Sequence, residues 1–530
     1  MIHRFFIYGM LGGSLATLVL YIGIIVIGLP FPPESIFQAL IGPVPGSIES
    51  VVVEALHEQA KYLVFAFAAV IYVTIYGFIG ILLGLVRGNT RHKNSSVIIV
   101  GTTVPTFIGL GLQAELAARA SNASSIYGWF TAALLGLCAN LLYAGMFVYQ
   151  DRNRFLANRT LGDVIESAVP SPSRRRFLKI AVIVTFLLGI ASWFGSALLT
   201  KRSEILRYTP IPINSNPVEP VDFASLPTIF HDARIRDLVE SEVSDNGVFY
   251  RVDIDPIPPR LYFGLWSLKV FGKVHNSLII NESDLLQLPA VDEYATLECV
   301  SNTVNIPGGL ISTAKWTGVA LATLLNRARV TSDGKFVVFR CADGYSVGIP
   351  IDQAFLPGAL LAYKMNDEPL PNEHGFPLRA IIPGKYGMMN AKWISEIEVV
   401  DHTYLGFWQE RGWSNDARIK TTSIICYPPQ QTRIASSVPI AGIAFAGDRG
   451  ISEVEVSVDG GITWNKATIK KPRSSFSWVL WAYEWTPTAR GGVTITVRAY
   501  DGTGRVQDSS ETLPFPDGVS GYNYIQVTVV

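Results

Sequence analysis

Charge is scarce in this chain, and cysteine scarcer. Only 16% of the 530 residues are charged, with 43 Lys and Arg balancing 43 Asp and Glu. A net charge of zero argues against a nucleic-acid partner, which needs a basic face. The four cysteines, Cys138, Cys299, Cys341 and Cys426, are too few and too scattered for a disulfide framework. No CxxC or paired Cys/His spacing is present, which removes the usual zinc and iron–sulfur patterns.

What fills the space is apolar. Hydrophobic residues make up 49% of the chain and the mean hydropathy is +0.30. Before residue 200 the sequence holds uncharged apolar runs at 5–29, 62–86, 96–112, 127–149 and 180–200. Each approaches or exceeds the ~18–20 residues that a helix needs to cross a bilayer core. The third is the shortest and contains Pro105. The loops 30–61 and 113–126 hold only Lys61 and Arg119. Arg4, Arg87, Arg91, Lys93, Arg152, Arg154, Arg159, Arg174, Arg175, Arg176 and Lys179 fall on the other side. The positive-inside rule then predicts five membrane helices, a cytoplasmic N-terminus and everything after residue 200 outside the cytoplasm, anchored in the plasma membrane.

The segment Ser173-Arg174-Arg175-Arg176-Phe177-Leu178-Lys179, just ahead of the fifth run, matches the S-R-R-x-F-L-K pattern of twin-arginine export signals. That route carries folded proteins, so the motif implies a cofactor inserted before export. No small-residue cleavage site follows, so the fifth helix is expected to stay as an anchor.

The remainder divides by pattern. Residues 201–227 are Pro-rich and read as a linker. From 228 to 402, strand-like runs such as KFVVFRC (335–341) and WISEIEVV (393–400) alternate with helical spacing in TGVALATLLNRA (317–328), predicting a mixed α+β domain. Residues 403–530 read as all-β. SEVEVSVDGG (452–461), VTITVRAYDGTG (493–504) and YNYIQVTVV (522–530) alternate or end in Asp-Gly turns, as in an immunoglobulin-like sandwich. The predicted organisation is four helices with loops in 1–177, a signal anchor at 178–200, a linker at 201–227, a catalytic domain at 228–402 and a β domain at 403–530.

The stretches TLECVSNTVNIPGGLISTAKWTGVALATLLNRA (297–328 with its preceding Thr) and LLAYKMNDEPLPNEHGFPLRAIIPGKYGMMNAKWISEIEVVD (360–401) resemble the sulfite oxidase family of molybdenum enzymes. GWSNDARIKT (412–421), VEVSVDGGITWNKA (454–467) and WTPTARGGVTITVRAYDGTGRVQ (485–507) resemble that family's dimerisation domain. The likeness covers roughly residues 228–530. It implies a molybdenum–molybdopterin cofactor, two-electron oxygen-atom transfer on a small sulfur or nitrogen oxo compound, and a possible homodimer. Cys299 matches the thiolate that binds the metal, a soft ligand that must be deprotonated. Cys341 lies in an apolar run and reads as core. Tyr345 matches the active-site tyrosine, whose phenol can donate to an oxo group. His374 and Arg379 of HGFPxR, together with Lys392, match groups that hold the pterin phosphate, with Tyr250, Arg251 and Asp253 in the first cofactor-contacting turn. Asp253 stands where animal sulfite oxidases carry a His.

One departure concerns the substrate. The family's C-A-G-N-R-R run is Cys299-Val300-Ser301-Asn302-Thr303-Val304 here, without the arginines that grip an anion. Each lost charge-assisted bond is worth roughly 1.5–3 kcal/mol. Unless Lys385 or Arg411 substitutes from another loop, a neutral sulfoxide or N-oxide fits at least as well as sulfite. The seven histidines, at 3, 57, 92, 231, 275, 374 and 402, all lie outside the apolar runs, so no haem is expected and electrons need a separate protein or membrane subunit. Two other readings are an inactive exported binding module and a sensor domain on a small transporter-like region.

Overall fold

The computed structural model describes residues 59–89 and 218–530, less 255–257, 262 and 303–308, with isolated positions between 6 and 48. The runs at 96–112, 127–149 and 180–200, most of 5–29, the twin-arginine motif and Cys138 lie outside the described residues. The run at 62–86 falls within helix α1, Gln59–Asn89. Its Leu63–Leu82 stretch, 20 residues of mean hydropathy 2.2, is the one segment among the described residues long and apolar enough to cross a membrane. The five-helix expectation is thus supported at one run only, the other four lying wholly or mostly outside the described residues. The described residues fall into two compact units, one holding α1 and the other nearly all residues from 218 onward.

The second unit begins with two sheets. Strands β1 (Ser267–Gly272), β2 (Leu278–Asn281), β3 (Ala290–Glu298), β4 (Ile311–Ala320), β5 (Phe336–Cys341), β6 (Ser346–Pro350), β7 (Leu360–Met365), β8 (Glu368–Pro369), β9 (Arg379–Ile381) and β10 (Ile394–Val400) follow in chain order. One sheet runs β2-β1-β10-β5-β6, and its β1–β10 pair is parallel. The other runs β3-β4-β7-β8, with β9 also on β7. The strands read from KFVVFRC and WISEIEVV are β5 and β10, paired antiparallel in mid-sheet. Both are buried along most of their length, as suits strands covered on both faces. Cys341 ends β5 and is buried in the core, as its apolar neighbours imply.

The helical reading of 317–328 holds only from helix α2, Leu321–Ala328. Residues 317–320 finish β4, which pairs with β3 on one side and β7 on the other. Gly318 shows how close that second pairing is: a Cβ there would stand 2.1 Å from the Leu361 carbonyl oxygen. Leu321, Leu324, Leu325 and Ala328 then form the buried face of α2.

The C-terminal part is a two-sheet sandwich. Its strands are β11 (Thr422–Tyr427), β12 (Arg433–Ile434), β13 (Val438–Phe445), β14 (Ile451–Ser457), β15 (Asn465–Lys466), β16 (Thr468–Ile469), β17 (Val479–Trp485), β18 (Gly491–Asp501) and β19 (Asn523–Val529). The sheets run β11-β13-β17-β16 and β12-β19-β18-β14-β15. Strict alternation along β19 sends Ile525, Val527 and Val529 inward against Trp481, Val497 and Ile440.

Buried polar contacts join the two parts. Glu242, 1% exposed, accepts from Lys470 Nζ and Arg473 Nε, each at 2.7 Å. The Trp478 indole donates to the Glu242 carbonyl at 3.0 Å, and Trp478 N–H donates to Thr296 Oγ1 on β3 at 2.8 Å. The end of the expected linker is also docked, since Val218 N–H donates to the Asp367 carboxylate.

Candidate active site

β3 delivers Cys299 into a tight turn. Cys299 N–H donates to the Leu310 carbonyl at 2.8 Å, and Asn302 N–H to the Cys299 carbonyl at 3.0 Å. Asn302 braces the turn from inside: its Oδ1 accepts from Leu310 N–H at 2.8 Å and its Nδ2 donates to Glu298 Oε1 at 2.9 Å. The Cys299 sulfur lies 3.0 Å from Ser301 Oγ. Burial raises the Cys299 thiol above its ordinary pKa, with Ser301 partly opposing it. The thiol therefore carries its proton until a metal displaces it.

Tyr345 follows the Asp343-Gly344 turn that links β5 to β6. Gly344 takes φ +82°, and Tyr345 N–H donates to Asp343 Oδ1 at 3.0 Å. The Tyr345 ring packs 5.9 Å from Phe407. Its hydroxyl donates to the Met388 carbonyl at 2.5 Å, so the proton expected to serve an oxo group is held by backbone here. Burial drives the phenol well above its usual range.

The anion-holding candidates converge on the same cavity. His374 Nε2–H donates to the Asn246 carbonyl at 2.8 Å, which fixes the tautomer. Burial, reinforced by Arg379, lowers His374 to about 4, so the ring is neutral at pH 7. Arg379, fully buried on β9, donates from Nη1 to the His374 carbonyl at 3.0 Å and stacks 4.7 Å over Trp316. Desolvation brings its guanidinium down to about 10. Lys392 bonds the Asp253 carboxylate and the Glu373 carbonyl, and its ammonium is lowered chiefly by burial. Asp253 also pairs with Arg251 Nε at 2.9 Å. An acid at this position thus anchors two cations.

Tyr250 borders the cavity and stacks on Phe249 at 5.5 Å. Its hydroxyl fills the space over Gly387, where a Cβ would lie 2.3 Å away. Cys299, Tyr345, Tyr250, Asp253, His374, Arg379 and Lys392 all line one cavity; Arg251 stands behind Asp253 and does not. Lys385 and Arg411, the proposed substitutes for the missing arginines, do not line it either. Lys385 Nζ is held by Asp416, while Arg411 stacks on Phe407 at 3.6 Å and donates to its carbonyl.

Sequence reasoning missed Asp343, Ser301, Met388, Trp408 and Trp413, which also line the cavity. Asp343 carried a signal, since the turn CADGYS puts an acid two residues before Tyr345. Desolvation pushes its carboxyl up to about 7. The tryptophans carried none.

The residues fit a molybdenum pterin. A single buried thiol offers the soft ligand, and the Arg379 Nε–H, buried without an acceptor among the described residues, is a donor suited to an anion.

Comparison with known proteins agrees. Residues 256–408 match the oxidoreductase molybdopterin binding domain family, and 414–520 the Mo-co oxidoreductase dimerisation domain family. The chain is 30% identical over 317 residues to mitochondrial sulfite oxidase of Rattus norvegicus, covering 51% of this chain and 58% of that protein. It is 29% identical over 327 residues to sulfite oxidase of Arabidopsis thaliana, covering 51% and 83%. Among solved structures, the sulfane dehydrogenase SoxCD from Paracoccus pantotrophus is similar at 23% identity and TM-score 0.46, covering 57% of this chain and 85% of that one. The chain thus spans little more than half the length of the rat relative. By its two matched domains and the cavity they frame, this chain belongs to the sulfite oxidase family of molybdopterin-dependent oxidoreductases.

Proposed function

We propose that this chain is a membrane-attached molybdenum oxidoreductase that moves one oxygen atom and two electrons on a small sulfur or nitrogen oxo compound outside the cytoplasm. The observation that carries the chemistry is convergence: Cys299, Tyr345, His374, Arg379 and Lys392 come from separate stretches of chain and border one cavity. Cys299 would ligate the metal. Arg379 and Lys392, with neutral His374, would hold the pterin phosphate, and Asp343 and Tyr250 border the same space. When bound, the molybdenum pterin supplies the two-electron couple and the oxo group. The protein's own work is to keep that centre dry and oriented. Asn302 fixes the turn that aims Cys299, and Asp343 fixes the backbone of Tyr345.

Membrane attachment is supported by the apolar Leu63–Leu82 stretch, by the loop charges and by the Ser173–Lys179 motif. The catalytic half then faces outward, delivered folded, and passes electrons to or from a separate carrier or membrane subunit. The dimerisation-type domain supports a homodimer.

The test is molybdenum content of the full chain, purified in detergent from a cofactor-making host, beside Cys299→Ser. About one molybdenum per chain, with oxygen-transfer activity lost in the variant, supports the reading; folded protein without molybdenum or pterin refutes it. Protease accessibility of the 218–530 half in intact spheroplasts tests its outward orientation.

A further inference from the structure

Two unlike sets of groups line the cavity. In one, two cations, Arg379 and Lys392, stand with the acid side chains Asp253 and Asp343. Those two cations are the ones the cofactor phosphate would take. In the other, beside Tyr345, the wall is aromatic and apolar. Phe407 lies 5.9 Å from the Tyr345 ring, Trp408 5.0 Å from Phe407 and Trp413 6.4 Å from Trp408. Trp408, Trp413 and Met388 line the cavity there. The neighbouring cation, Arg411, is folded back onto Phe407.

We infer that Trp408 and Trp413 are specificity-determining residues that select an uncharged organic sulfoxide and turn away an oxyanion such as sulfite. This rests on the molybdenum reading above. An oxyanion moved from water to this wall loses its hydration without gaining a charged partner. An organic sulfoxide keeps its alkyl or aryl groups against indole, and the thioether it yields makes favourable sulfur–aromatic contacts. In the step itself the S–O bond breaks and sulfur regains its lone pair. The oxygen leaves as water after taking up two protons, and two electrons come from the reduced carrier.

The test uses the molybdenum-loaded full chain. Reduction of methyl phenyl sulfoxide by titanium-reduced viologen is compared with sulfite oxidation. The variants are Trp408→Leu, Trp413→Phe and Trp408→Arg, each checked for molybdenum content. The wild type should favour the sulfoxide. Trp408→Leu should raise the sulfoxide KM about tenfold with less change in kcat, as expected for lost apolar contact. Trp413→Phe, which keeps a ring in the buried position, should shift KM in the same direction by less. Trp408→Arg should raise kcat/KM for sulfite about tenfold or more, the effect of one charge-assisted bond. Loaded enzyme that prefers sulfite, turns over neither compound, or keeps its sulfoxide KM in Trp408→Leu overturns this inference while leaving the cofactor reading intact. Absence of molybdenum overturns both.

Discussion

Asp253 is almost wholly buried between Lys392 and Arg251. Removing its charge strands both cations, one of them deep in the cavity wall. Breaking a buried pair from one side costs about 3–5 kcal/mol, so Asp253→Asn should lower the urea midpoint at pH 7 by a corresponding amount without changing the slope. Two other side chains give the cofactor-free protein opposed pH limbs. His374 has its pKa lowered from 6.5 to about 4, so the unfolded chain binds the extra proton first. Stability is intact above pH 6.5 and is lost as pH falls towards 4. Asp343 has its pKa raised from 3.8 to about 7, so the native state holds the extra proton, and stability declines as pH rises from 3.8 through 7. Denaturant midpoints across pH 4 to 8 should show His374→Gln flattening the acid limb and Asp343→Asn flattening the other. If both variants keep the wild-type profile, these side chains do not govern it.

At the scale of elements, β4 is the most constrained strand. It is enclosed by β3 and β7, and Gly318 marks where the backbone of β7 comes nearest. Gly318→Val should force those strands apart and destabilise the catalytic part by about 1–3 kcal/mol or more, read as an earlier thermal transition. The same strand shows what local sequence conveys and what it does not. KFVVFRC, WISEIEVV and YNYIQVTVV were readable as strands because their runs or alternation leave no competing helical face. Thr317–Ala320 were not, because their spacing satisfies a helix and only pairing with Leu360–Lys364 decides otherwise. The site divides similarly. Cys299, Tyr345, His374, Arg379 and Lys392 stand in quoted motifs and meet in one cavity. Trp408 and Trp413 acquire meaning only when the loop before the sandwich folds back towards Tyr345, a fact that no short window of sequence contains.

At the scale of the whole molecule, one carboxylate is a main tie between the sandwich and the catalytic part, beside backbone contacts such as Trp478 N–H to Thr296. Glu242 meets Lys470 and Arg473 out of water, and Trp478 covers it. Glu242→Ala leaves a buried lysine and a half-buried arginine unpaired, a change of about 3–5 kcal/mol. Calorimetry should then resolve two transitions where the wild type melts in one.

The cavity also has a place in time. Its walls are drawn from residues 249–254, 297–301, 343–345, 374–393 and finally 408–413. During synthesis, Cys299 leaves the ribosome well before the tryptophans that line the same cavity. A chain cut before residue 408 would keep Cys299 yet lack the Trp408 and Trp413 side of its cavity, so the site is complete only near the end of the catalytic sequence.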